Sequence, residues 1–125
     1  MIYLDTHVVI WLYADLAEKF NPQARELINK NDLFVSPIVS LEIQYLYEIG
    51  RITVDSNNII SDMEQRIGLR ICDAPFSKVT ARAIALSWTR DPFDRLIVAQ
   101  AQVGQSLLLT RDELILARFD DAVWP

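Results

Sequence analysis

Apolar residues in this chain form short uninterrupted runs and longer stripes at helical spacing, and the alternation of the two predicts the fold class. The runs are rich in strand-favouring residues without alternating polar positions, which is typical of strands covered on both faces of a parallel sheet. We predict strands in the apolar start of Met1–Thr6, at Leu33–Val35, Leu69–Ile71 and Leu107–Leu109, and an edge strand at Ala122–Trp124.

Helical stripes fill most of the intervals between these runs, and several have clear start and stop signals. Asn21 and Ser36 each precede a proline that opens a helix. Gly50 ends the second of these helices, and Gly104 ends the helix that Pro92 opens. The predicted helices are Thr6–Ala14, Pro22–Lys30, Pro37–Ile49, Ser56–Ile67, Ser77–Ser87, Pro92–Val103 and Asp112–Ala117. Strands that alternate with helices indicate an α/β fold. We expect a parallel central sheet of four to five strands, flanked by helices on both faces, in one domain spanning residues 1–125.

Charge, cysteine content and run length narrow the possible partners and compartment. The chain has 17 acidic and 12 basic residues, and the net charge of −5, taken alone, argues against nucleic acid as a partner. An acidic balance fits better a protein that gathers carboxylates around a metal ion or meets a basic partner. The single cysteine, Cys72, excludes an intrachain disulfide, and the longest apolar run, Val8–Ala14, is too short to span a bilayer. We therefore expect a cytoplasmic protein without membrane contact.

Two acidic residues follow predicted strands. Asp5 directly follows the first strand, and Asp112 closely follows the fourth. Ligands of open parallel sheets bind outside the carboxyl ends of the strands, so both carboxylates belong near one candidate site. Each also has a simpler explanation. Asp5 or Thr6 could cap the next helix, and Thr110 with Glu113 could form a capping box, although that box leaves Asp112 without a role.

Two further acidic residues lie on predicted helices beside apolar positions. Glu42 shares or borders the stripe that contains Val39 and Leu46, where a carboxylate is costly unless it is paired, bound to metal or extended to water. Asp94 is in register with the apolar positions of its helix, whereas Asp91 is placed to cap that helix. The simpler explanation for Asp94 is a favourable interaction with the helix dipole.

Taken together, Asp5, Glu42, Asp94 and Asp112 lie near one edge of the predicted sheet, which points to a cation. Carboxylates held close repel one another, and the pKa of at least one rises unless a cation intervenes. Oxygen ligands favour a hard divalent ion such as Mg²⁺ or Mn²⁺. A zinc site is disfavoured because the only histidine, His7, has no histidine or cysteine partner.

Four short motifs carry these acidic residues in a recognisable order. They are Asp5-Thr6-His7, Ser40-Leu41-Glu42, Asp91-Pro92-Phe93-Asp94-Arg95 followed by Ala99-Gln100-Ala101, and Leu109-Thr110-Arg111-Asp112. In this order they resemble the PIN domain family, most closely the VapC-type toxins of bacterial type II toxin–antitoxin systems. The resemblance spans the whole chain, and the order of the motifs carries it because no single motif is very specific.

The resemblance implies a parallel sheet flanked by helices and a metal-dependent endoribonuclease that cleaves cellular RNA. The acidic quartet would be Asp5, Glu42, Asp94 and Asp112, with Thr6 and Thr110 as polar residues beside it. Mg²⁺ or Mn²⁺, bound chiefly by Asp5 and Asp94, would lower the pKa of a bound water, which then attacks a phosphodiester. The reaction would use one ion, or two ions if a second arrives with the substrate.

The resemblance also implies protein partners, a cognate antitoxin and a second copy of the chain in a homodimer. The antitoxin's tail would lie in a groove of the N-terminal half, beside aromatic residues such as Trp11 and Tyr45. The acidic cleft predicts basic residues in that tail. Around the cleft, Arg90, Arg95 and Arg111 are candidates for phosphate contact, although arginines beside acidic residues often form surface ion pairs.

Two other classes of function remain open from the sequence. One is a non-catalytic module that keeps the fold and binds a protein or RNA partner, which the complete quartet disfavours. The other is a phosphatase or phosphotransferase with Asp5 as its nucleophile. Phosphatases of the haloacid dehalogenase type need a second aspartate two residues later, where this chain has His7.

Overall fold

Five short parallel strands form the central sheet of the computed structural model, which describes residues 1–125. They are β1 (Ile2–Leu4), β2 (Leu33–Val35), β3 (Arg70–Ile71), β4 (Leu107–Leu109) and β5 (Ala122–Val123). Their order across the sheet is β3-β2-β1-β4-β5, and every neighbouring pair is parallel. The predicted parallel sheet is confirmed, with five strands and with the last strand at an edge.

Seven helices flank this sheet and confirm the predicted α/β class. They are α1 (Thr6–Tyr13), α2 (Pro22–Lys30), α3 (Pro37–Glu48), α4 (Ser56–Ile67), α5 (Phe76–Ile84), α6 (Pro92–Val103) and α7 (Glu113–Arg118). The largest error concerns α5, which begins one residue before and ends three residues before the predicted Ser77–Ser87. A short 3₁₀ turn at Ala17–Lys19 was not predicted.

The core is one continuous cluster of buried apolar side chains contributed by strands and helices together. In β1 and β4, Ile2, Leu4, Leu108 and Leu109 are fully buried, as the non-alternating runs predict. Helix α1 packs against α3 and α4, α3 packs against α6, and α6 packs against α5. None of the helices combines the length and apolar character needed to cross a bilayer.

The strand order places a topological switch beside β1. The chain moves from β1 to β2 and β3 on one side, then returns to β4 and β5 on the other. Residues that follow β1 and β4 consequently leave the sheet next to each other, and the Asp5 backbone N–H donates to the Leu109 carbonyl oxygen at 3.1 Å. Such a position at the carboxyl ends of parallel strands is where this class of sheet binds ligands.

The turn from α6 into β4 packs closely against the first strand. Gly104 ends α6 with φ −77° and ψ −4°, a conformation open to any residue. A Cβ at this position would lie 2.8 Å from both Cε2 and the hydroxyl oxygen of Tyr3, whose side chain is buried. Glycine is therefore favoured here by the close approach of the Tyr3 side chain and not by backbone conformation.

Candidate active site

A cleft of about 300 Å³ lies at the carboxyl ends of β1 and β4 and collects the acidic residues of the chain's four motifs. Its lining consists of Asp5, His7, Val8, Trp11, Glu42, Asp91, Asp94, Arg111 and Asp112. The four acidic residues predicted from the sequence thus meet in one place, although they come from four separate segments of the chain. Asp91 lies beside them, as a fifth carboxylate.

Asp5 is buried at the centre of this arrangement and is held by two hydrogen bonds. One carboxylate oxygen accepts from the Thr6 backbone N–H at 2.8 Å, which makes Asp5 the N-cap of α1. The other oxygen accepts from the Thr110 hydroxyl at 2.6 Å. Burial raises the pKa of Asp5, and the two hydrogen bonds oppose that rise because they favour the charged form.

Glu42 is tied to the same strand end through Thr6. The half-buried carboxylate extends from α3 and accepts a hydrogen bond from the Thr6 hydroxyl. Burial is the main cause that raises the pKa of Glu42, and the charges of Asp5 and Asp91 add to it. Thr6 therefore contacts both carboxylates, through its backbone to Asp5 and through its side chain to Glu42.

Asp94, in the first turn of α6, is the acidic residue of the quartet whose carboxylate accepts no hydrogen bond and forms no ion pair. The side chain is half-buried, and burial is the main cause that raises its pKa to about 7. The negative charges of Asp91, Asp5, Asp112 and Glu42 raise it further, in that order. Asp94 is thus the carboxyl group on which the mutual repulsion of the cleft acts most.

Asp91 is the N-cap of α6, as the sequence predicts. One of its carboxylate oxygens accepts from the backbone N–H groups of Phe93 at 2.8 Å and Asp94 at 3.3 Å. It nevertheless lines the cleft, which the sequence analysis did not assign to it. The sequence does contain a signal for this position. Asp91 lies three residues before Asp94, and a side chain that caps a helix reaches toward the first helical turn, where Asp94 lies.

Asp112 caps α7, and the capping box considered from the sequence does not form. Its carboxylate accepts from the Ile115 backbone N–H at 2.9 Å. Thr110 lies too early to cap and instead accepts from the Asp112 backbone N–H at 3.0 Å while donating to Asp5. The capping-box explanation gave Asp112 no role. In the structure Asp112 caps α7 and also faces the cleft.

The three candidate arginines lie in different surroundings. Arg90 donates to the Ser87 carbonyl oxygen at 2.7 Å, and Arg95 donates through Nε to the Thr89 carbonyl oxygen at 2.8 Å. Neither lines the cleft, whereas Arg111 does. None of the three forms an ion pair with an acidic residue.

The donor set of the cleft fits a hard divalent cation. Five carboxylates face one another without a basic side chain paired to any of them, since the ion pairs of the chain lie elsewhere. No three of the acidic, histidine or cysteine side chains are already arranged to hold an ion. Three of the carboxylates are engaged as helix caps and a fourth accepts from a threonine hydroxyl, so closing around a cation requires side-chain rotation.

Comparison with known proteins connects this geometry with one family. A family model described as PIN domain matches residues 2–122. The fold is similar to VapBC2 from Rickettsia felis bound to a DNA fragment from their promoter, with a TM-score of 0.73 and 20% identity over 99% of this chain and 98% of that one. No curated protein matches in sequence.

Two more solved structures share the fold at similar identity. One is a toxin–antitoxin complex from Klebsiella pneumoniae, with a TM-score of 0.69 and 18% identity over 100% of this chain and 98% of that one. The other is VapBC-1 from nontypeable Haemophilus influenzae, with a TM-score of 0.60 and 17% identity over 100% and 97%. The three structures are only 17–20% identical in sequence to this chain, so the comparison shows a shared fold.

Proposed function

Because the chain belongs to the PIN domain family, we propose that it is a metal-dependent endoribonuclease of the VapC type, a toxin that cleaves cellular RNA. One observation carries the proposal. Acidic residues from four separate segments meet in a single cleft at the switch point of a parallel sheet, with no basic partner for their charge. Such an arrangement is costly for stability alone and is suited to a divalent cation.

In this proposal Asp5, Glu42, Asp94 and Asp112 would hold Mg²⁺ or Mn²⁺. When bound, such an ion supplies a water of lowered pKa and neutralises negative charge that develops on the phosphate. Thr110 and Thr6 orient Asp5 and Glu42 by donating to them. The Asp94 carboxyl, whose pKa burial raises to about 7, accepts no hydrogen bond and would bind the cation without breaking a contact within the protein.

We infer that the chain is silenced by a cognate antitoxin, a proposal supported by the sequence resemblance and by the toxin–antitoxin complexes among its structural neighbours. A basic side chain of the partner's tail would pair with Asp5, Asp94 or Asp112 in place of the cation. Tyr45 is less suited to this contact than Trp11 because its ring packs at a tilt against that of Phe93 and does not line the cleft. Recovery of the chain from its native host alone, or with an acidic-tailed partner, would contradict this inference.

We also infer a homodimer, supported by one apolar face. The three most exposed large apolar side chains of the molecule are Ile84, Phe76 and Leu41, at 77%, 67% and 58% exposure. Phe76 and Leu41 border one surface cavity and Ile84 borders another, and Leu96 lines both cavities. We call these four residues the α3–α5 face. Exposed apolar side chains grouped on one part of the surface are typical of an interface between protein chains.

The test of the nuclease proposal is cleavage of labelled single-stranded RNA with Mg²⁺, with Mn²⁺ and with a chelator. We expect cleavage with either ion, none with chelator, and a loss of about 100-fold or more in the Asp94→Asn variant. Retained cleavage with chelator, or full activity in a folded Asp94→Asn protein, would refute the metal-dependent mechanism.

RNA binding without cleavage would favour the non-catalytic module. Hydrolysis of a phosphomonoester instead of RNA would favour a phosphatase.

A further inference from the structure

The guanidinium group of Arg111 is held over two indole rings at the rim of the acidic cleft. It lies 5.5 Å from the centroid of the Trp124 ring and 5.8 Å from that of Trp11. Although five carboxylates line the same cleft, Arg111 forms an ion pair with none of them. The exposed arginine is therefore held by aromatic faces and not by a salt bridge.

The aromatic rings beneath Arg111 support one another in a cluster assembled from distant parts of the chain. Trp11 meets Trp124 edge to face at 6.1 Å and Phe20 at 6.3 Å, while Phe20 lies 5.6 Å from Trp124. Lys19 adds a second cation, with its ammonium nitrogen 5.4 Å from the Trp11 centroid. Mutual packing of this kind fixes the position of the ring faces.

A guanidinium stacked on aromatic rings keeps its N–H donors available. Arg111 makes no side-chain hydrogen bond within the protein, in contrast to Arg90 and Arg95, which donate to carbonyl oxygens. Planar guanidinium donors match the oxygens of a phosphate. In a protein of net charge −5 whose cleft is acidic, a fixed cation at the rim also offsets the repulsion that a nucleic acid backbone would meet.

Trp11 joins this cluster to a second cavity. A mostly apolar groove of about 290 Å³ lies against Trp11 and Phe20. Its other lining residues are Leu12, Leu16, Ala17 and Ile28, with the polar Asp15, Arg25 and Asn29. Trp11 lines both this groove and the acidic cleft, so a ligand that runs from one to the other must pass it. The cation at the rim of the cleft and the groove beyond Trp11 together fit an extended polymer in which phosphates alternate with flat apolar groups.

We propose that Arg111, Trp11 and Trp124 form a positioning site for single-stranded RNA, an inference that rests on the proposed nuclease function. Arg111 binds a phosphate adjacent to the scissile one, and the neighbouring unpaired base lies in the groove against Trp11. Proteins that bind single strands use this combination of stacked bases and backbone cations. A base-paired duplex cannot place a base in the groove, so the site selects for unpaired RNA.

The test measures binding of short labelled RNA to protein that carries Asp94→Asn to prevent cleavage, with Mg²⁺ present. We expect Arg111→Ala to weaken binding of the single strand about tenfold and to reduce the slope of log affinity against log salt by about 0.7, the value for one lost phosphate contact. Arg111→Lys should restore the slope but not the full affinity because an ammonium does not stack as a planar group. Each variant is checked by its melting temperature.

Arg70→Ala is the matched control. Arg70 is likewise an exposed arginine stacked on an aromatic ring, 5.8 Å from the Phe34 centroid, but it lies on β3, away from the cleft. This variant should bind RNA as the parent does. Equal losses in the Arg70 and Arg111 variants would mean that overall charge alone matters, and would overturn the proposal.

The groove is tested without altering the protein. Single strands with one abasic nucleotide, scanned along the sequence, should bind more weakly when the missing base falls next to the Arg111 phosphate, and the same strand annealed to its complement should bind least. Loss of binding to an apolar protein tail in the Arg111 variant, with RNA binding unchanged, would assign the groove to a protein partner and overturn the proposal. A parent protein that cleaves RNA while the Arg111→Ala protein binds it unchanged would leave the nuclease function standing and refute this site. A parent that neither binds nor cleaves RNA would refute both.

Discussion

Asp94 differs from the other acidic side chains of the cleft because nothing in the protein holds its charge. Asp5, Glu42, Asp91 and Asp112 all accept hydrogen bonds, whereas the Asp94 carboxyl is half-buried among like charges and has no donor. In the metal-free protein this group opposes the folded state whenever it is ionised. The cost should be measurable and should vanish when a cation binds.

The first prediction concerns the pH dependence of metal-free stability. The pKa of Asp94 is about 7 in the folded protein against the ordinary value of 3.8, so the folded state holds this proton more tightly than the unfolded state. Its contribution to stability is therefore complete below pH 3.8 and lost as the pH rises through about 7. With chelator present, the melting temperature should fall over this range, and Asp94→Asn should flatten the fall.

Divalent metal supplies the complementary measurement. In the proposed mechanism Mg²⁺ or Mn²⁺ binds the folded cluster and not the unfolded chain, so either ion should raise the melting temperature, most clearly at neutral pH and above. Asp5→Asn should weaken that response. An equal metal-induced shift in an Asp5/Asp94 double variant would place the ion outside the cleft.

At the residue scale, sequence reasoning found the acidic residues that local position identifies and missed contacts made through space. Asp5 and Asp112 follow strands, and the structure shows them together in the cleft, but their roles as ligands remain predictions. The stacking of Arg111 on Trp124 joins residues thirteen positions apart across a strand and a helix, and no periodic pattern records it. Side-chain contacts of this kind depend on the strand order, which the hydrophobic pattern does not determine.

At the scale of elements, helix starts determine where the carboxylates point. Asp5, Asp91 and Asp112 each cap a helix, of α1, α6 and α7, and the three capped ends meet at the cleft. An aspartate that caps a helix is fixed by backbone N–H groups, which orients its second oxygen. Helix boundaries near these caps were predictable because proline and capping residues mark them. The 3₁₀ turn at Ala17–Lys19 has no such marker.

Asp91 provides a test that separates capping from chemistry. Asp91→Ala should lower stability by about 1 kcal/mol through loss of the cap, whereas Asp91→Asn should keep the cap and most of the stability. Both folded proteins should retain RNA cleavage, measured beside Asp94→Asn as the inactive reference. Loss of cleavage in a folded Asp91→Asn protein would show that Asp91 belongs to the reacting set.

The turn between α6 and β4 gives a prediction about packing. Gly104→Ala should destabilise the protein by about 1–3 kcal/mol because the added methyl group meets the buried Tyr3 ring. The backbone at Gly104 accepts alanine without strain, so the effect isolates the steric contact. In a Tyr3→Leu background the same substitution should cost less, as measured by denaturant unfolding in a double-mutant cycle. An equal cost in both backgrounds would rule out the contact as its cause.

At the scale of the whole molecule, the pattern of runs and stripes predicted the class and the edge position of β5 but not the order of the other strands. Alternating strands and helices are compatible with several parallel orders, and the return from β3 to β4 across β1 is decided by packing of the complete chain. That return produces the switch point. The sequence could therefore predict that the four acidic residues lie near one edge of a sheet, but not that they meet in one cleft.

Self-association is the prediction that belongs to this scale. Ile84→Glu on the α3–α5 face should convert a dimer into a monomer without unfolding it, since the replaced side chain is largely exposed. Ile49→Glu is the matched control because Ile49 is also an exposed isoleucine but borders neither cavity of that face. Sedimentation analysis of both variants decides the matter. A parent protein that sediments as a monomer, or an unchanged Ile84→Glu dimer, would exclude this face.

The double use of aspartates as helix caps and cleft carboxylates has a consequence for how such a protein loses its activity over generations. Asparagine caps a helix about as well as aspartate, and the two codon sets differ by a single base at the first position. At Asp5, Asp91 and Asp112 that change removes the negative charge while leaving the helix start intact. A lineage released from selection for the proposed nuclease activity should therefore drift to asparagine at these caps before the fold erodes, and replacement of Asp5 or Asp112 should leave a stable, inactive descendant. Asp94 and Glu42 cap nothing, so their replacement should follow no such preference.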